Sequence, residues 1–255
     1  MAIKPDKIDI LGTNVSAVNM EMALDIVDHW IDEGRSEYIC FRDVHGVMAA
    51  QKDATLRAAH EKAGVVAPDG MPLVWTSRAR GHPEVGRVSG PDFMLALCDR
   101  SVALGYRHYL YGGAPGVAEK LALSLRAKFP GVQIVGSYCP PFRKLTPEED
   151  EFVIKDIAET RAQLVWIGLG SPKQEHWMAD HVERIPGAIL FGVGAAFDFH
   201  AGFVKRAPLW MQKSGLEWLF RLLSEPRRLW RRYVIMAPKF LVQVLLQNSK
   251  NKNKP

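Results

Sequence analysis

Residues 163–181 read QLVWIGLGSPKQEHWMADH. An apolar, β-rich run breaks into Gly-Leu-Gly-Ser-Pro and re-forms at once as a charged, aromatic segment with helical periodicity. A strand that stops in glycines and opens a helix is the basic joint of a parallel α/β sheet. The same alternation continues outward through the first 200 residues. IDILG (8–12), EYICF (37–41), GVVAP (64–68), RHYLYGG (107–113), VQIVGSY (132–138) and AILFGVG (188–194) read as further strands. Between the first two, Met20, Leu24, Val27 and Ile31 recur at helical spacing with Trp30 on the same face. Gly90-Pro91-Asp92 opens a helix that Gly105 stops, and another runs from Pro115 to Phe129. Thr146-Pro147-Glu148-Glu149 combines an N-cap, an N1 proline and an N3 glutamate, the signature of a helix start. The expected fold is a doubly wound, mostly parallel, Rossmann-like α/β sheet.

Composition fits that reading and excludes others. Of 255 residues, 47% are apolar and 24% charged, as in ordinary globular proteins. Three cysteines, Cys40, Cys98 and Cys139, cannot all pair, which favours a reducing, cytoplasmic setting. The opening MAIKPDKIDILG has no signal-peptide core, and no 18-residue apolar stretch marks a membrane span. The charge is split unevenly. Residues 1–201 hold 21 Lys+Arg against 26 Asp+Glu, whereas 202–255 hold 12 against Glu217 and Glu225 alone. An acidic α/β core (1–201) therefore carries a basic appendage (202–247), with 248–255 expected to be disordered. In the appendage Arg221, Arg228, Arg231 and Arg232 interleave with Trp218, Trp230 and Tyr233. That mixture suits an amphipathic helix lying in an anionic membrane interface. Nucleic acid would use the same residue types, but the acidic body and the lack of a nucleic-acid module disfavour it. Prolines 208, 226 and 238 are expected to divide the appendage into two or three helices.

Ligands of open parallel sheets bind at the C-terminal strand ends. The turns expected there are RDVHG (42–46), PDGMP (68–72), YGGAPG (111–116), GLGSPKQE (168–175) and GVGAAFDFHAG (192–202). YGGAPG, with Gly112 and Gly113, reads either as a phosphate-binding turn or as a plain strand–helix joint. Asp69 is either a turn aspartate or a general base held between Pro68 and Pro72. In GLGSPKQE, Ser171 has the form of an N-cap, with Gln174 placed to complete a capping box. Alternatively, Gly170, Lys173 and Gln174 meet a sugar or phosphate. His45 and Asp43, and Asp198 in FDFHAG, are further candidates for ligand contact or for local packing. No Walker A, HExxH, CxxC or GxGxxG pattern occurs, so no metal or cofactor is expected.

Taken together, DVHGVMAAQKD (43–53), VVAPDGMPLVW (65–75), GLGSPKQEHWM (168–178), GVGAAFDFHAG (192–202) and RAPLWMQKSGLEWLFRLLSEPRRLWRRY (206–233) resemble the WecG/TagA/CpsF glycosyltransferases. The resemblance covers nearly the whole chain in order. It implies inverting, metal-independent transfer from a UDP-sugar to a lipid-linked glycan acceptor, on the inner face of the bacterial membrane. It makes Asp69 the general base and Gln174 an active-site residue. It also makes the appendage a membrane-docking element that brings arginines over the diphosphate, with Arg206 and Arg221 first and Arg228 or Arg231 next. Many relatives carry Thr and Asn where this chain reads Cys40-Phe41-Arg42-Asp43, a form closer to exopolysaccharide-type members. The donor is therefore open between N-acetylmannosamine and a hexose such as glucose. A homo-oligomer is compatible with the sequence. Two other functions stand as rivals: a non-enzymatic membrane assembly protein, and a nucleotide-cofactor oxidoreductase, which would need GxGxxG after the first strand.

Overall fold

The structure, a computed structural model, describes residues 4–252, with backbone only at Lys213, Arg228 and 250–252. Its strands are β1 (Lys7–Ile10), β2 (Thr13–Ser16), β3 (Glu37–Arg42), β4 (Val65–Pro68), β5 (Arg107–Gly112), β6 (Gln133–Tyr138), β7 (Leu164–Gly168) and β8 (Ile189–Gly192). The core helices are α1 (Met20–Asp32), α2 (Val44–Ala50), α3 (Ala54–Lys62), α4 (Met71–Ala79), α5 (Gly90–Leu104), α6 (Val117–Lys128), α7 (Pro147–Glu159), α8 (Lys173–His181) and α9 (Ala196–His200). Six strands form one sheet in the order β4-β3-β8-β7-β5-β6, and every neighbouring pair is parallel.

Alternation along each strand divides the core into two layers. Phe41, Leu110, Trp166 and Phe191 face α1, α5, α6 and α9. Cys40, Tyr109, Ile167 and Leu190 face α7 and α8. Both faces are covered, which is why the strands read as continuous apolar runs. Local signals hold at the helix ends. Thr146 and Glu149 form a complete capping box on α7, and Gly105 closes α5 in the left-handed region at φ 72°.

Three expectations are corrected. The strand at IDILG exists but does not enter the parallel sheet. It pairs antiparallel with β2 as a separate hairpin, joined through Leu11 and Gly12, both at positive φ. Pro238 does not interrupt a helix. The appendage comprises α10 (Leu209–Lys213), α11 (Glu217–Ser224) and α12 (Pro226–Trp230), then a π-helical turn (Arg231–Met236) that runs straight into α13 (Ala237–Lys252). Pro238 follows directly on the change from π-helical to α-helical turns at Met236–Ala237, so the chain stays helical through it and only the type of turn changes. Finally, α13 continues to Lys252, past the expected boundary at 247 and through the first part of the segment expected to be disordered; residues 253–255 lie outside the described residues.

The appendage does not stand apart from the core. Phe240 and Val244 of α13 are buried with Ile8, Ile10 and Val15 of the hairpin, Val47 and Met48 of α2, and Leu73 and Val74 of α4. Gln247 reinforces this third cluster by accepting from the Leu11 amide at 3.2 Å and donating to Asp9 Oδ2 at 2.9 Å.

Candidate active site

Because the six strands are parallel, their C-terminal turns share one edge, and the expected loops converge there. Gly112 is needed at that edge for close approach. Its φ is 124°, and a Cβ on it would stand 2.7 Å from the Gly168 carbonyl carbon. The next amide, on Gly113, donates to the Gly168 oxygen at 3.1 Å. The glycines of YGGAPG therefore pack β5 against β7, and they also leave α6 without a side-chain cap at Gly116.

Asp43 and Asp69 sit side by side at the ends of β3 and β4. The Asp69 amide donates to the Arg42 carbonyl at 2.8 Å, and a Cβ on Gly70 would lie 3.3 Å from Asp43 Cβ. Asp43 caps α2 by accepting from the Gly46 amide at 3.0 Å, and Arg232 of the π-turn donates to its other oxygen. Burial alone would raise its pKa, but Arg232 and the Gly46 amide outweigh burial and hold the carboxyl well below the usual range. The pKa of His45 beside it is lowered, first by burial and then by the Arg232 charge, with Asp43 opposing.

Asp69 has the opposite fate. Burial pushes its pKa from 3.8 up to about 6; Arg87 opposes the shift, and the nearby charges of Asp43, Glu217 and Asp92 add to it. The side chain keeps 28% of its surface open, so the carboxylate remains within reach of a ligand. Arg87 donates to the Asp69 carbonyl at 2.7 Å and pairs with its carboxylate at 3.4 Å and with Glu217 at 2.8 Å. Arg206 grips Glu217 at 2.9 Å and Asp92, whose second oxygen it meets at 2.9 Å. Two arginines thus face three carboxylates around one corner of the edge, with Glu217 supplied by the appendage.

Gln174 lies in the first turn of α8 and is 3% exposed. It does not complete a capping box, and Ser171 is not an N-cap. The Ser171-Pro172 peptide is cis, α8 has no side-chain cap, and the Ser171 hydroxyl accepts from Arg42 Nη1 at 3.0 Å instead. The Gln174 side chain turns inward, to Gly192 and Glu175. Arg42 connects this cluster to the acidic corner: its carbonyl holds Asp69, and its guanidinium pairs with Glu175.

The remaining expected residues are spread more widely. Gly170 has positive φ with open space at its Cβ position, and Lys173 beside it is exposed. The Asp198 backbone accepts from Phe203 and Val204, and burial raises its carboxyl pKa. Arg221 lies 5.9 Å from the centre of the Phe199 ring. Arg231 lies 5.4 Å from the centre of the Trp230 ring. The Arg228 side chain lies outside the described residues. Arg87, Asp92, Glu217, Glu175 and the particular role of Arg232 were not foreseen. Arg87 falls in GHPEVGRVSGPDF, where no periodicity or motif marks it.

Fold and site together define an α/β protein with a carboxylate of raised pKa and flanking arginines at the C-terminal edge of a parallel sheet. This is the place where such sheets hold a phosphorylated ligand. Residues 8–254 match the model of the glycosyl transferase WecG/TagA/CpsF family, and the chain belongs to that family. It is accordingly a glycosyltransferase of cell-surface polysaccharide synthesis. Among the described residues no helix is long and apolar enough to cross a membrane.

Proposed function

We propose that this glycosyltransferase moves a hexose or N-acetylhexosamine from a UDP-sugar to a polyprenyl-pyrophosphate-linked glycan, by a single inverting displacement without a metal. The observation that carries the reading is Asp69, a partly accessible carboxyl whose pKa of about 6 suits a general base near neutral pH. Its carboxylate takes the acceptor hydroxyl proton. The acceptor oxygen bonds to the anomeric carbon while the bond from that carbon to the diphosphate breaks, and UDP leaves with the electron pair. Charge on the departing diphosphate is met by Arg206 and Arg87, and by the uncapped N-terminus of α6 beyond Gly113. Arg221 is a further candidate from the appendage. Gln174, Gly170 and Lys173 after β7, with Asp43, His45 and Asp198, form the remaining walls for donor and acceptor.

The appendage docks the enzyme on the inner face of an anionic membrane, where the lipid-linked acceptor resides. Supporting this, Leu209, Trp210, Trp218, Leu223, Trp230 and Ile235 are exposed on a segment rich in arginine. The test is a UDP-release screen of UDP-glucose, UDP-N-acetylmannosamine and related donors with a lipid-pyrophosphate sugar acceptor. Release with one donor, abolished by Asp69→Asn, is the expected result. Folded protein that releases UDP from no donor would overturn the proposal.

A further inference from the structure

The Gln174 side-chain nitrogen donates to the Gly192 carbonyl at 2.7 Å and to Glu175 Oε1 at 2.9 Å. Both partners are acceptors only. Turning the amide over would set its oxygen against two other oxygens, so the chemistry of the neighbours fixes its orientation. The amide oxygen is left facing away, buried and without a donor among the described residues. It lies beside Gly194, where a Cβ would stand 3.2 Å from it, so glycine keeps that side of the turn free of carbon.

Glu175 is itself fully buried, and its ion-pair partner is Arg42, 4% exposed. Arg42 is held on every side. It donates to Ser171 Oγ at 3.0 Å and to the Phe41 carbonyl at 2.8 Å. It also passes beneath Gly46, where a Cβ would come within 3.0 Å of its Cδ. A fully buried ion pair contributes little net stability compared with well-packed apolar residues of the same size. Stability alone therefore does not account for this pair.

The geometry points to Arg42 and Glu175 as positioning residues: their ion pair locks the Gln174 amide with its NH2 turned into the protein, so that its carbonyl oxygen faces the turn after β8 and demands a hydroxyl or N–H donor from the sugar. The inference rests on the reading of Gln174 as a sugar-contacting residue. It makes this corner selective for a hydrogen-bond donor. A donor sugar with fluorine in place of the contacting hydroxyl is rejected, because fluorine brings no proton.

The test separates positioning from packing. Arg42→Met and Glu175→Leu are each expected to lower Tm, because each strands a buried charge. The double variant, with both charges gone, recovers most of that Tm and binds UDP like the wild type. Its kcat/KM for the sugar donor nonetheless stays about tenfold down, the effect of one mis-set hydrogen bond. Recovery of kcat/KM together with Tm would overturn the inference. A second measurement does not depend on the variants folding: both side-chain amide protons of Gln174, followed by nitrogen-15 NMR of the intact protein, should be protected from exchange. Exchange as fast as in a solvent-exposed glutamine overturns the inference. A wild-type protein that releases no UDP but shows protected Gln174 protons would instead sink the transferase reading and leave the amide lock standing.

Discussion

Asp69→Asn is expected to make the enzyme inactive and more stable at the same time. The folded protein raises this carboxyl from 3.8 to about 6, a gap of roughly two pH units, or about 3 kcal/mol against the ionised form. Partial solvent access reduces this to about 2 kcal/mol. The sign follows from proton binding. The folded pKa lies above the unfolded one, so the stabilising contribution of the protonated group is complete below 3.8 and is lost as pH rises through about 6. Asparagine resembles the protonated carboxyl and has no charge to lose. The variant should therefore melt about 5 °C above wild type near pH 7.5, with the gain shrinking below pH 6 and gone near pH 4. Scanning calorimetry across that range, beside UDP release at neutral pH, gives both readouts. An equal or lower Tm at neutral pH, or a gain that persists in acid, would refute the electrostatic account. Retained turnover would refute the assignment of Asp69 as base.

Three further outcomes follow from the same geometry. In the wild type, kcat/KM should fall about tenfold per pH unit below about 6 as Asp69 takes up its proton; Arg87→Met removes the cation that opposes this, and should move the acid limb upward by about one unit. Phe240→Ala, at a fully buried position shared by α13, the hairpin and α2, should cost about 3 kcal/mol in chemical denaturation although it lies in the appendage. Replacing Leu209 and Trp210 together with alanine should weaken co-sedimentation with phosphatidylglycerol-rich vesicles about tenfold or more and leave Tm within about 2 °C, since both side chains are exposed.

The parallel sheet could be read from residue order because its signals are local: strands buried on both faces are continuous apolar runs, and capping residues such as Thr146 and Glu149 act within one turn. Asp69 was legible as a turn residue and Gln174 as a first-turn helix residue at strand ends, and only the family resemblance suggests roles for them. The hairpin was only half legible. TNVS is short and polar, and nothing in Leu11-Gly12 says that β1 prefers β2 to the main sheet. The partners of the site were not legible, because each is a long-range pairing. Arg232 meets Asp43 across 189 residues, and Glu175 meets Arg42 across 133. Periodicity sees neighbours on one helix or strand; it cannot show which arginine of a basic tail folds back onto which carboxylate.

The packing of α13 on the β1–β2 hairpin has a consequence for how the molecule is made. The Leu11 amide and its Gln247 partner are separated by 236 positions. At roughly 5–20 residues per second, a ribosome needs on the order of ten to fifty seconds to travel from one to the other. Throughout that interval the apolar face of the hairpin lacks Phe240 and Val244, its last cover. The central sheet can assemble during synthesis, whereas the hairpin must wait for the closing helix. A nascent chain stalled before residue 240 would thus carry a finished sheet with an unsealed flank, and that flank is where a chaperone or a misplaced second chain would bind first.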